Sequence, residues 1–139
     1  VITLAGVSDY GTRFPTGFQL EQWQEKGVYH VKNGRTGQDM PHYIDFYNDF
    51  QKNKELLDIR QAVSSLEKPM LIIHGDSDEA VNVNEAFNLK EWCKGAVLQV
   101  IPGATHTFGS KQPWEEDQMP EDLAAASDMM VDFILEADD

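Results

Sequence analysis

The stretch K-P-M-L-I-I-H-G-D-S-D-E-A-V, Lys68 to Val81, decides how the rest of the chain is read. Lys68-Pro69 opens a continuous apolar run, Met70 to Ile73, of the kind a parallel strand needs when both of its faces are covered. The run stops abruptly at His74-Gly75-Asp76-Ser77-Asp78, a polar turn. Beyond it, Asn82 or Asn84 can cap a helix that passes through Ala86, Phe87, Leu89, Lys90 and Trp92 and ends at Gly95. Ala96 to Ile101 (AVLQVI) reads as a second strand, broken by Pro102-Gly103. A last helix begins near Pro120 and places Leu123, Ala126, Met130, Phe133, Ile134 and Ala137 on one face. Upstream, Val1 to Val7 is a short β-branched-rich strand that runs into a loop at Ser8, Asp9 and Gly11. Strands that alternate with helices predict an α/β fold with a short, mostly parallel sheet, flanking helices and right-handed crossovers.

Between the first strand and Lys68 the pattern changes. Residues 9 to 40 hold Gly11, Pro15, Gly17, Gly27, Gly34 and Gly37, which predicts an irregular excursion with one short helix at Leu20 to Lys26. From Met40 the spacing turns helical. Tyr43, Phe46, Tyr47 and Phe50 fall at i, i+3, i+4 and i+7, and Leu56, Ile59 and Val63 make a second stripe, both expected to pack in a core. The 139 residues therefore read as one domain, with an excursion and helices over 9–66 and the strand-bearing part over 67–139.

Composition excludes several partners. With 41% apolar residues the chain can bury a real core. A formal charge of −13 speaks against nucleic acid, whose affinity for proteins comes largely from Lys and Arg displacing counterions, and against an anionic membrane surface. No run approaches the ~18 apolar residues that span a bilayer. Cys93 is the single cysteine, so no internal disulfide and no oxidising compartment is implied, and the expected location is cytoplasmic. The abrupt start at Val1, inside an apolar segment, suggests a missing upstream part. His30 and His42 have no Cys or His at ligand spacing, and the loop of Asp76, Asp78 and Glu79 lacks the calcium pattern, so no metal or cofactor is expected.

Chemistry in such sheets collects at the C-terminal ends of the strands. Asp78 lies in the loop leaving the first of the two internal strands. His106 lies in the loop Gly103 to Gly109 (GATHTFG) leaving the second. Adjacent parallel strands stand about 4.8 Å apart, so these loops can bring carboxylate and imidazole together. A carboxylate on one ring nitrogen fixes the tautomer and stabilises the imidazolium, leaving the other nitrogen to take a proton from a nucleophile. His74, at a strand end beside Gly75, is expected to be a packed, hydrogen-bonded histidine. Trp114 either covers the site or lies on the surface.

Lys68 to Val81 resembles the P-x-L-x-x-H-G-x-x-D-x-x-V segment of α/β-hydrolases, in which the D is the triad acid. IPGATHTFG, Ile101 to Gly109, resembles the G-x-x-H-x-F loop that carries the triad histidine of the same family. The two motifs stand in family order, with Asp78 and His106 28 positions apart. The likeness looks closest to dienelactone-hydrolase-like and prolyl-oligopeptidase-like esterases. It implies the C-terminal part of an α/β-hydrolase fold, His106 as general base and acid, Asp78 as its orienting carboxylate, and a small-molecule ester or a short peptide as substrate. In the complete family fold the excursion would form a small lid, where Tyr43, Phe46 and Tyr47 could line an acyl pocket, though core packing is the expectation.

The nucleophile is what the sequence lacks. Ser8 has Gly6 two positions before it, as a G-x-S-x-G elbow needs, but Tyr10 stands where the second glycine belongs. Gly11, Pro15 and Gly17 then interrupt any helix whose N-terminus would supply an oxyanion-hole amide. Ser64, Ser65, Ser77, Ser110 and Ser127 lack the spacing too. By resemblance, Val1 to Val7 is the strand that follows the nucleophile helix, so the elbow would lie upstream. The expectation is a hydrolase fragment without its attacking oxygen and inactive alone, or else a non-enzymatic binding or assembly module. Either would associate through the Val1–Val7 edge, as a homodimer or with the missing N-terminal half.

Overall fold

A computed structural model describes residues 1–34 and 36–137, and of Ala137 the backbone only. The elements in order are β1 (Ile2–Leu4), α1 (Gly17–Lys26), β2 (Val28–Lys32), β3 (Asp39–Tyr43), α2 (Ile44–Lys52), α3 (Ile59–Ser64), β4 (Leu71–Gly75), α4 (Asn84–Trp92), β5 (Val97–Ile101) and α5 (Glu121–Ala137). They divide into two compact units: Val1–Ser8 together with the chain from Ile59 onward, and Asp9–Asp58.

The first unit is built on a parallel sheet of order β1-β4-β5, with Ile2 opposite Leu71, Leu71 opposite Val97 and Gly75 opposite Ile101. The fold is therefore α/β, a short parallel sheet with flanking helices. β4 is central, and all five of its residues are buried, which is why its sequence is a continuous apolar run rather than an alternating one. Its side chains still alternate between faces. Leu71 and Ile73 join Ala5, Ile101, Ala104 and Phe108 in a core closed by Ala126 of α5. Met70 and Ile72 join Val63 of α3, Ala86 and Leu89 of α4, Cys93 and Ala96 on the opposite face. Completely buried side chains of the size of Ile72 and Leu89 contribute about 1.5–3 kcal/mol each.

α4 is closed at both ends by side chains near its termini. Asn82 Oδ1 accepts the Asn84 N–H at 3.0 Å, and the Lys90 ammonium donates to the carbonyls of Lys94 and Ala96, placing positive charge where the helix dipole is negative. On α5, Leu123, Ala126, Met129, Met130 and Phe133 face the core, whereas Ile134 is 51% exposed. The expected stripe is thus shifted by part of a turn at its end, and the side chain of Ala137 lies outside the described residues. Among the described residues no helix is long and apolar enough to cross a membrane.

The second unit is more regular than its glycines suggest. α1 begins three residues before the expected helix and stops at Gly27, whose φ of +72° is the left-handed cap that glycine adopts without penalty. Gly34 and Gly37 belong to the turn of an antiparallel hairpin, β2–β3, in which the Asn33 N–H donates to the Gln38 carbonyl and the Gly37 N–H to the Asn33 carbonyl. The helical reading from Met40 therefore fails for its first residues: Met40 to Tyr43 are strand, and the helix is broken again between Lys52 and Ile59. Pro41 is tolerated because a two-stranded sheet consists of edges only.

Phe14 fills the centre of an aromatic cluster, with ring centroids of Phe50, Tyr47 and Phe46 at 4.9, 5.2 and 5.4 Å. Trp23, 1% exposed, packs edge-on against Tyr29 and donates its indole N–H to the His42 carbonyl. Tyr47 and Phe50 are half-buried in this cluster, while Tyr43 and Leu56 of the expected stripes are exposed.

Candidate functional site

The loops that leave β4 and β5 are fastened to each other before any side-chain chemistry begins. The Asp76 N–H donates to the Ile101 carbonyl and the Ser77 N–H to the Ala104 carbonyl. Asp76 returns across the gap, its Oδ1 accepting the Gly103 N–H at 2.6 Å. Gly103 has φ +77°, so the chain reverses immediately after Pro102 in a conformation that suits glycine.

Asp78 stands at the centre of this loop pair with its side chain fully buried. Oδ1 accepts two backbone N–H groups, from Ala80 and Val81, each at 2.8 Å. Oδ2 accepts the His106 Nδ1–H at 2.9 Å. Burial on its own would raise the pKa of this carboxyl group. The hydrogen bonds from Val81, His106 and Ala80, with the charge of the imidazolium form, outweigh it and hold the group below its ordinary 3.8. Asp78 is therefore an ionised acceptor, and the bond to it fixes His106 as the Nδ1–H tautomer with Nε2 as the basic nitrogen.

His106 is held by its neighbours rather than by its own packing. Ala104 and Phe108, two residues to either side, are buried in the core against Ala126, and the imidazole between them is 44% exposed. Phe108 has φ +52°, a conformation that costs a non-glycine residue about 1–2 kcal/mol and that its burial offsets. The Nε2 atom has no hydrogen bond among the described residues and is open to a proton donor. Asp78 and His106, far apart in sequence, are thus in direct contact at the C-terminal ends of adjacent parallel strands.

The other histidines lie elsewhere. His74 is completely buried, and its Nε2–H donates to the Val81 carbonyl at 2.9 Å. His42 stacks on Tyr29 within the β2–β3 hairpin, and His30 is exposed on β2. No group of three or more His, Cys, Asp or Glu side chains forms a metal-binding cluster among the described residues. Trp114 is 38% exposed.

Ser8 is 3% exposed and is engaged with α4: its N–H and its hydroxyl both donate to Glu85 Oε2, and Asn88 Nδ2 donates to its hydroxyl oxygen at 3.1 Å. The hydroxyl proton is thus directed at a carboxylate. Neither Glu85 nor Asn88 was legible as a partner of Ser8. Their i, i+3 spacing puts them on one helix face, but nothing in the sequence says what that face meets.

No family model matches the sequence, and no curated protein matches it. Solved structures do. Est1E from Butyrivibrio proteoclasticus with ferulic acid bound matches with a TM-score of 0.54 and 22% identity, over 78% of this chain and 36% of that enzyme. A second structure of Est1E gives a TM-score of 0.48 at 23% identity over 76% and 38%, and the esterase domain of a Rhodothermus marinus protein gives 0.44 at 18% over 60% and 33%. The chain spans little more than a third of the length of Est1E. What the first match establishes is the fold alone: the α/β architecture of this chain, a short parallel sheet with flanking helices, is similar to that of the matched part of Est1E.

Proposed function

We propose that this chain supplies the acid and base of a Ser-His-Asp triad to an esterase-like serine hydrolase whose nucleophile elbow and oxyanion hole lie outside these 139 residues. One observation carries the reading: a buried, ionised Asp78 accepts the Nδ1–H of a half-exposed His106 at 2.9 Å, leaving Nε2 free. In the complete site, His106 Nε2 takes the proton of the serine hydroxyl as its oxygen attacks the ester carbonyl. The same nitrogen returns that proton to the departing alkoxide, and water then hydrolyses the acyl-enzyme by the same relay. Asp78 holds the ring in register and balances the imidazolium throughout. Carboxylic esters are the first substrates to assay, with short peptides second, as the likeness to dienelactone-hydrolase-like and prolyl-oligopeptidase-like esterases suggests.

The test compares this chain with the longer polypeptide encoded by the same reading frame, using a fluorophosphonate label and p-nitrophenyl acetate. The longer protein is expected to label and turn over, with H106A lowering kcat about a thousandfold or more. Labelling of the 139-residue chain that S8A abolishes would replace this reading with a self-contained enzyme.

A second reading, an assembly module in place of an enzyme, is favoured by the edge of β1. That strand pairs with β4 alone among the described residues, and Val1 and Leu4 are 55% and 39% exposed. Such an edge can add a strand from a second copy or from a polypeptide completing the sheet.

A further inference from the structure

His74 lies beneath the Asp78–His106 pair and makes contacts that core packing alone does not require. Its ring is 0% exposed at the C-terminal end of β4, and its Nε2–H, 2.9 Å from the Val81 carbonyl, stands 3.4 Å from Asp78 Oδ2. Nδ1, equally buried, has no hydrogen-bond partner among the described residues. A buried polar atom left without a partner costs free energy that Phe or Met in the same space would avoid. Among the described residues the one hydrogen bond of this ring is that of Nε2.

The contacts form a closed circuit. Asp78 Oδ1 accepts the N–H groups of Ala80 and Val81, the Val81 carbonyl accepts His74 Nε2–H, and the same nitrogen stands 3.4 Å from the second carboxylate oxygen. We propose that His74 is a positioning residue for the triad carboxylate. By holding the Val81 carbonyl, with Nε2 3.4 Å from Oδ2, it fixes the turn whose N–H groups bind Oδ1 and so aims Oδ2 at His106. The proposal rests on the triad reading of Asp78 and His106. It adds a second imidazole, acting only through Asp78, to their site.

The test follows the His106 side chain by 1H–15N NMR in the full chain, where an Nδ1–H bonded to a carboxylate is a low-field, slowly exchanging proton. H74F, which removes the donor but keeps the volume, is expected to accelerate exchange of that proton about tenfold or more. H74Q, whose amide nitrogen reaches the place of Nε2, is expected to restore it, and H74N, whose shorter amide mimics Nδ1, is not. The Gln and Asn pair alone decides the matter if H74F does not fold. An unchanged His106 signal in H74F, or equal signals in H74N and H74Q, overturns the positioning role. D78N separates the two ideas: if it leaves the His106 signal unchanged, the Asp78–His106 bond fails and the proposal with it, whereas a signal lost in D78N but kept in H74F sinks the role of His74 alone.

Discussion

Gly75 and the backbone of Ala104 pass so close that a Cβ at position 75 would collide with the Ala104 carbonyl oxygen and stand 2.6 Å from its carbonyl carbon. This close approach lets the β4 loop donate the Ser77 N–H to that carbonyl and sets Asp78 beside His106.

Gly75→Ala is expected to destabilise the chain by about 1–3 kcal/mol, because the atom it meets is backbone and cannot turn aside. Urea unfolding would measure the loss, and the slow-exchanging His106 Nδ1–H should disappear with it. A variant with wild-type stability and an intact His106 signal would mean that the loops do not need this approach.

Asp78 gives the molecule a defined acid response. Its carboxyl group is held below 3.8 in the folded chain, so as the pH falls the unfolded chain takes up this proton first. Stability from this group is therefore complete above about pH 4–5 and lost as the pH falls through the folded pKa. In D78N, the slope of unfolding free energy against pH below about 4 is expected to flatten by part of one proton relative to the wild type. Parallel slopes in the two proteins would show that the fold does not favour the ionised form.

Ser8→Ala removes a hydroxyl that donates to the Glu85 carboxylate and accepts from Asn88. Loss of a charge-assisted hydrogen bond of this kind costs about 1–3 kcal/mol, to be read from denaturant midpoints. H106A likewise takes a donor away from a fully buried carboxylate, and although the ring itself is half-exposed its loss is expected to cost about 1–3 kcal/mol. Wild-type midpoints in either variant would show that the corresponding bond does not hold the fold.

The edge of β1, unpaired among the described residues, predicts association. Sedimentation velocity at micromolar concentration is expected to show a dimer, and Leu4→Lys, placing charge at a 39% exposed position on that strand, should return it to monomer. A wild-type chain that stays monomeric at those concentrations would remove the edge as an interface.

The sequence by itself determined the order of strands and helices in the first unit, because a strand buried on both faces must be apolar throughout and β4 is. It also singled out Asp78 and His106, since each follows a strand, β4 or the alternately buried β5, in a loop rich in turn residues. It could not determine the hairpin of Asp9–Asp58, whose strands are short, exposed and interrupted by Pro41, so no periodicity distinguished them from loop. Tertiary structure alone decided that Ser8 faces Glu85, that Gly75 meets Ala104, and that His74 Nε2 bonds the Val81 carbonyl within 3.4 Å of Asp78. Each of these depends on how two distant segments approach through space, and hydrophobic pattern records only which side of a segment is covered, never by what.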